Sequence, residues 1–362
     1  MLRFIIKRLF YGLLVLLGVI LVIFFLFNVL PGDPARMMLG QRADQASVDA
    51  INKELGLDRS LPVRFFGYLN DLSPLSFHQR TDSSSFWFLD RAKYSSAKEL
   101  LVLGDHSVVL KKPYLRQSYQ SKRNVTDILS EALVNTLILA VVSMAFAVLI
   151  GIAIGILCAL KKNSITDRIA LVFSVLGMSV PSFFAAILNA WIFAFVLVDI
   201  THLNMVGSLF SVDDLGRGEY LDLKNLILPA FTLGIRPLAI VVELTRNSML
   251  EVLSQDYIRT AKAKGLSNTR IILKHALKNA LNPVVTAISG WLASLLAGAV
   301  FVEFVFDWKG IGVVIVNALD KYDFPVVMGA VLFISIILII INFFVDILYG
   351  LLDPRIRLHF KN

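Results

Sequence analysis

The sequence predicts an all-α integral membrane protein with six transmembrane helices. Both termini are cytoplasmic, and a long extracytoplasmic loop separates helices one and two. Three observations carry this reading. Hydrophobic residues are 57% of the 362 and charged residues only 17%, with a mean hydropathy of +0.73. A soluble domain is nearer one half apolar and one quarter charged, so lipid must cover much of this surface. Six runs reach the roughly 20 mostly apolar residues that a span needs. Lys and Arg, which give the chain its net charge of +8, gather at the ends of those runs. That is the pattern of membrane topology and not of a nucleic-acid groove reader.

The first run, Leu9–Leu30, follows Arg3, Lys7 and Arg8. It is too long for the apolar part of a secretory signal, and no small-residue cleavage site precedes Pro31, so it reads as an uncleaved anchor. The loop that follows opens with "DQASVDAINKELGLD", a short amphipathic helix stopped near Gly56, and "RSLPVRFFGYL", a second. From about Ser73 to Lys122 the chain is polar and weakly patterned, and irregular structure is expected. Asn124-Val125-Thr126 has the form of a glycosylation acceptor, which short chance matches readily produce.

The remaining runs are Ala132–Leu160, Ile169–Val198, Leu226–Leu250, Val284–Phe304 and Pro325–Leu351. The basic N-terminus, the turn with Lys161, Lys162 and Arg168, the segment after the fourth run, and the tail with Arg355 and Arg357 all fall on one side of this threading. That side is cytoplasmic by the Lys/Arg bias, and loops as long as the first translocate regardless of charge. The organisation is therefore a tail and first span (1–30), an extracytoplasmic loop region (31–131), a transmembrane core (132–351) with a cytoplasmic loop at 251–283, and a cytoplasmic tail (352–362). The single cysteine, Cys158, excludes an internal disulfide.

The cytoplasmic loop "DYIRTAKAKGLSNTRIILKHALKNALNP" sets six basic residues against one acid, Asp256. Its second half is helical by pattern: Leu273, Leu277 and Leu281 form one row with Ile272, Ala276 and Ala280 beside it, and Arg270, Lys274 and Lys278 form another that repels itself slightly. Something acidic should face that second row. Gly265 breaks the segment as a left-handed C′ residue. Ser267 is an N-cap, and Leu266 with Ile271 makes a hydrophobic staple. Two readings stay open on these residues: an amphipathic helix on anionic headgroups, or a rigid knob for a cytoplasmic partner. The Gly-centred turn, with small Ala261 and Ala263 before it, has no use in a lipid anchor.

The stretch resembles the cytoplasmic loop of ABC importer permeases, whose pattern is Glu-Ala-Ala, three residues, Gly and a later Pro. Ala261, Gly265 and Pro283 match, whereas Arg259 and Thr260 replace the Glu and the first Ala. "LPGDPA", "LGLDRSLPVRFFGYL", "PSFF", "LTRNSMLEVL", "VEFVFDWKGIG" and "VDILYGLLDPRIR" extend the likeness to the B-type permease subunit of the dipeptide, oligopeptide and nickel branch. The segment from about 75 to 120 is longer than in typical members, and nothing is carried over to it. The resemblance implies a heterodimer with a second homologous permease, two cytoplasmic ATP-binding subunits that use the ATP, an extracytoplasmic substrate-binding protein, and a place in the bacterial cytoplasmic membrane. It also implies that Arg259, Thr260, Ala261, Lys262, Ala263, Lys264, Gly265 and Leu266 form the helix that couples the ATPases to the spans.

No G-x-x-x-x-G-K-[ST] occurs, so the chain is expected to carry no ATPase site, no bound cofactor and no catalytic residues. No metal site is expected either. Ionisable and helix-breaking residues at membrane depth are the path candidates: Pro181 and Ser182, which kink the third span, and Arg236, Glu243 and Glu303. Arg236, Glu243 and Arg246 have the spacing of an ion-pair network inside the bundle, the competing structural reading. Glu303 and Asp307 stand near the outer mouth, where they could meet a peptide's amino end or the binding protein. Asn342 and Asp346 share a face, suited to a bond with another span, and "DPRIR" should stop the last helix. Among alternatives, an ion-driven secondary transporter should show inverted repeats and a membrane enzyme a paired catalytic constellation, and neither is visible. A passive scaffold has no use for polar residues on spans three and four. A nickel or other small-solute permease of the same branch stays open.

Overall fold

The computed structural model describes residues 2–29, 44–54, 56–82, 85–94, 96–213, 216 and 218–352. Helices dominate it. In chain order they begin with α1 (Leu2–Val29), α2 (Gln45–Glu54), α3 (Leu61–Leu72), α4 (Val125–Leu160), α5 (Ile165–Ser179) and α6 (Ser182–Trp191), which continues as a π-helical turn over Ile192–Val196. Then come α7 (Lys224–Leu253), α8 (Asp256–Ala263), α9 (Leu277–Phe306), α10 (Ile311–Asp320) and α11 (Phe324–Leu352). The strands are β1 (Leu75–Gln79), β2 (Lys98–Leu103), β3 (His106–Leu110), β4 (Phe210–Val212) and β5 (Glu219–Leu221).

Among the described residues, α1, α4, α7 and α11 are each long and apolar enough to cross a membrane. The third expected run is not one gently kinked rod. It is two helices, α5 and α6 with its π turn, that change direction by 114° at Val180–Pro181. Proline lacks an N–H, and it drives the residue before it out of the helical region; Val180 has an extended ψ of 128°. The fifth run lies within the 30-residue α9.

The chain divides into two units. One comprises residues 2–9, 132–313 and 337–352. Its core joins Leu139 and Met144 of α4, Ala186 and Ala190 of α6, Leu228 and Leu233 of α7, and Leu295, Val302 and Phe306 of α9. Helices α4 and α7 approach through small residues. A Cβ on Gly155 would sit 2.6 Å from the Thr245 Cβ, and one on Gly151 would sit 2.8 Å from a Val241 methyl. Gly151 and Gly155 are the ends of "GIAIG", the small-xxx-small spacing that lets membrane helices touch backbone to backbone. Near the other end of α11, Asp346 accepts from Arg8 at 3.0 Å, the expected bond to another span.

The second unit comprises residues 10–131 and 314–336, of which the described ones are considered. Phe24 of α1, Tyr68 of α3, and Met328 and Leu332 of α11 make one buried cluster. Helices α2 and α3 stand where the sequence places them, with Gly56 at φ +68° between them and Pro62 in the first turn of α3.

The segment from Ser73 to Lys122 corrects the expectation of irregular structure, and with it the strictly all-α description. Strands β1, β3 and β2 form an antiparallel sheet in that order. It is anchored by Val109, packed with Leu89 and Tyr94. Every other residue of β3 is inward, since Ser107 and Val109 are buried, but β2 is exposed along nearly its whole length. An edge strand with so little alternation gives almost no period-2 signal. Strands β4 and β5 pair as a small hairpin within the loop at 199–225.

Beneath the sheet Asp71 is almost fully buried. It accepts from the Tyr94 hydroxyl at 2.5 Å and the Arg116 Nε at 3.1 Å, and the Lys93 ammonium lies at 3.5 Å. Burial alone would raise the pKa of this carboxyl, but Arg116, Lys93 and the Tyr94 hydrogen bond outweigh it and hold the group below the usual carboxylate range.

Candidate functional site

The basic loop folds as a helix–turn–helix knob. Helix α8 ends in a Schellman motif: Gly265 lies at φ +74°, its N–H bonds the Lys262 carbonyl at 2.9 Å, and Leu266 N–H reaches back to Ala261 at 3.3 Å. Ser267 occupies the expected N-cap position in extended conformation, though its side chain makes no capping bond. Leu266 and Ile271 join one cluster, as a staple requires. That cluster also contains Ala159 of α4, Met249 of α7, and Ile258 and Ala261 of α8, so the knob is built onto two long helices.

One expectation fails in the second half. Residues Ile271–Ala276 form a π-helical segment, which inserts an extra residue into the turn. The buried row becomes Ile271, Ala276, Ala280 and Val284, whereas Leu273 is exposed. Of the expected apolar rows, the one with Ala276 and Ala280 is thus the buried one, and the Leu273 row, which assumed unbroken α spacing, is turned outward at its start.

The structure brings the eight loop residues together on a single knob. Ala261 is buried and Leu266 half-buried; Arg259, Thr260, Lys262, Ala263, Lys264 and Gly265 are exposed. Arg259 pairs with Asp256 at 3.3 Å and Thr260 donates to the Asp256 carbonyl at 3.0 Å, while Asn279 donates to the Tyr257 hydroxyl at 2.9 Å, linking the two arms. A Cβ built on Gly265 meets nothing within 4 Å. The tip is therefore open and cationic.

The membrane-depth candidates separate. Ser182 and Arg236 line one cavity of about 70 Å³ together with Thr232, Trp291 and Ser294, polar groups enough to hold water. Arg236 is exposed and makes no hydrogen bond or ion pair among the described residues. Glu243 is half-buried and pairs with neither arginine. Arg246 instead grips Asp167 at 2.5 and 2.8 Å, so the network expected within α7 is replaced by a bond to the start of α5. Pro181 marks the 114° break.

Glu303 is buried within the chain. It is 0% exposed, and its Oε2 accepts the Gly312 N–H at 2.6 Å. The residues between form a tight turn on α4: Trp308 Nε1 donates to the Asn135 carbonyl at 3.0 Å, and Ile311 N–H donates to Thr136 Oγ1 at 2.9 Å. A Cβ on Gly312 would lie 2.5 Å from the Val300 Cα. "EFVFDWKGIG" thus closes a corner, and exposed Asp307, in left-handed conformation at φ +51°, caps it. Arg355 and Arg357 lie outside the described residues.

Long apolar helices, with an exposed knob between two of them, define a multi-pass membrane protein. The chain belongs to the family described as the binding-protein-dependent transport system inner membrane component, which it matches over residues 151–358; the N-terminal part of that component matches over residues 1–83. Its relatives include the glutathione transport system permease protein GsiC of Pectobacterium atrosepticum, 36% identical over 358 residues and covering 99% of each chain. Another is the dipeptide transport system permease protein DppB of Alkalihalophilus pseudofirmus, 33% identical over 373 residues, covering 99% of this chain and all of that one.

Proposed function

We propose that the chain is the permease subunit of an ATP-driven peptide importer in a bacterial cytoplasmic membrane. Full-length similarity to permeases named for glutathione and dipeptides supports the substrate class. The chain crosses six times, with α9 as the fifth crossing and both ends in the cytoplasm. It pairs with a homologous permease, two ATP-binding subunits and an extracytoplasmic binding protein. ATP is consumed by those partners, and this chain supplies half of the path.

The observation that carries the mechanism is the exposed knob closed by Gly265 and seated on α4 and α7. Closure of the ATPases moves the knob, and because its buried side is continuous with two long helices the movement reaches the spans as a rigid displacement. Arg236, which pairs with no acid among the described residues and edges a cavity with Ser182, faces the path and meets the carboxylate of the passing peptide. An arginine at mid-bilayer is costly unless it faces protein or water.

The test is a crosslink from Lys264→Cys, with Cys158 replaced, in membranes holding the ATPases. An adduct to an ATPase whose yield changes with ATP is expected. Labelling by lipid-phase reagents alone, with no ATPase adduct, returns the knob to a headgroup anchor.

A further inference from the structure

Helix α5 touches α7 near both of its ends. At its start the Asp167 carboxylate is held by both prongs of Arg246. Further along, a Cβ on Gly177 would stand 3.1 Å from Ile235 Cγ2 and 3.5 Å from the Ala239 Cβ. The two helices therefore run antiparallel and in contact over about 15 Å of helix axis.

Each end of this contact leads to a different site. Met249 lies one turn after Arg246 on α7, and it packs with Ile258 and Ala261 in the core of the knob. Gly177 and Val180, at the far end of α5, line the cavity that holds Ser182, Thr232 and Arg236. Helix α5 thus runs from the foot of the knob to the wall of the cavity.

The ion pair does something that an apolar contact would not. A shielded pair contributes little net stability, because desolvating both charges offsets their attraction, and apolar side chains of similar volume would hold the helices about as well. A two-pronged guanidinium–carboxylate contact adds a fixed register. Gly177 and Ala239, at the other end, present small surfaces that resist sliding far less. The carboxylate is itself held in place: Asp167 accepts the Asn163 N–H, Asn163 is left-handed at φ +62°, and Ser164 Oγ accepts the Asp167 N–H at 3.3 Å. The cytoplasmic turn, the start of α5 and the arginine of α7 are joined as one block.

We propose that Asp167 and Arg246 are positioning residues that carry movement of the knob to the cavity. They lock the register of α5 to α7, so displacement of the knob takes Gly177 and Val180 with it and reshapes the cavity wall. The pair touches no substrate and acts through α5. This inference rests on the transport reading and supplies the route that reading needs between ATPase and path.

The test uses the assembled complex, with its ATP-binding subunits and binding protein, in proteoliposomes. ATP hydrolysis and uptake of labelled alanine peptides are read side by side. Arg246→Lys keeps the charge and loses the fork. It should assemble and hydrolyse ATP near the wild-type rate, while peptide carried per ATP falls about fivefold or more, the low end of coupling between sites. Asp167→Glu, which keeps a two-pronged acceptor, should retain more of that ratio than Asp167→Asn. If Asp167→Asn fails to assemble, Arg246→Lys decides alone. An unchanged ratio in Arg246→Lys overturns the proposal. So does loss of hydrolysis and uptake in equal proportion, which would make the pair an element of the fold only. Absence of both wild-type uptake and the Lys264→Cys adduct to an ATPase removes the transport reading, and the inference with it.

Discussion

Arg246 and Asp167, 79 residues apart, form a two-pronged ion pair with Nε–Oδ1 at 2.5 Å and Nη2–Oδ2 at 2.8 Å. The side chains are 14% and 2% exposed, and Asp167 also accepts from the Asn163 N–H at 2.9 Å. The pair fastens the start of α5 to α7, one of the two helices under the knob.

Removing one partner should therefore hurt more than removing both. Asp167→Ala leaves a shielded guanidinium, a change that costs on the order of 3–5 kcal/mol when a buried pair is broken. Thermal unfolding in detergent should show a large drop for Asp167→Ala and a smaller one for Asp167→Ala with Arg246→Met. Equal drops would mean that the pair is too hydrated to matter.

Gly265 offers a cleaner separation of stability from coupling. Its φ of +74° costs a β-carbon residue roughly 1–2 kcal/mol, and asparagine tolerates it best. Since nothing crowds the position, Gly265→Asn should retain most transport. Gly265→Asp, which adds a negative charge at the tip, should insert normally yet lose uptake. Uptake measured beside membrane abundance checks both, and normal uptake by the Asp variant removes the coupling assignment.

The α4–α7 contact tests the close packing at Gly155. Gly155→Leu drives a branched side chain into Thr245 and the Val242 carbonyl, which a Cβ alone would approach to 2.9 Å. Overpacking of this kind costs about 1–3 kcal/mol or more. Lower yield and a lower melting temperature are expected, with Gly155→Ala intermediate.

Arg236→Ala should lower uptake about tenfold or more, the value of a hydrogen bond between charged groups, with abundance unchanged. Uptake of a C-terminally amidated peptide, which lacks the carboxylate, should be indifferent to the change. An equal loss for both peptides would assign Arg236 to the permease interface.

The second unit should show its own pH dependence. Burial, reinforced by Lys93 and opposed by Asp71, depresses the Lys111 ammonium to about 8; an unfolded lysine titrates near 10.4. Between those values the unfolded chain binds more protons, so stability rises with pH. Tyr114 acts in the opposite sense higher up: burial, then Asp71, raises its phenol to about 12, so stability falls once unfolded tyrosines ionise near 10. Lys111→Met should abolish the rise between about 8 and 10 and leave the fall, measured as melting temperature against pH.

Much of this was readable before any coordinates. Five of the six apolar runs contain one long helix each, because hydropathy over 20 residues is a strong signal. The Gly265 turn was legible because a left-handed C-cap has few chemical solutions. The Asp167–Arg246 bond was not: periodicity on α7 suggested Glu243, and nothing local points 79 residues away. The π segment at Ile271–Ala276 was equally hidden, since a single added residue leaves composition untouched while it turns Leu273 outward. The sheet under Val109 escaped because its edge strand does not alternate.

The bend at Pro181 also bears on sidedness. On the proposed six-crossing topology, α4 delivers the chain to the cytoplasm and α7 must start from the opposite side for the Gly265 knob to face an ATPase. The two limbs joined at 114° therefore have to carry the chain across once. Were they to dip in and leave by the same face, every later loop would change sides, and the cationic knob and the corner at Glu303 would exchange compartments. The sides taken by everything downstream thus rest on whether the two limbs that meet at Pro181 cross as one span.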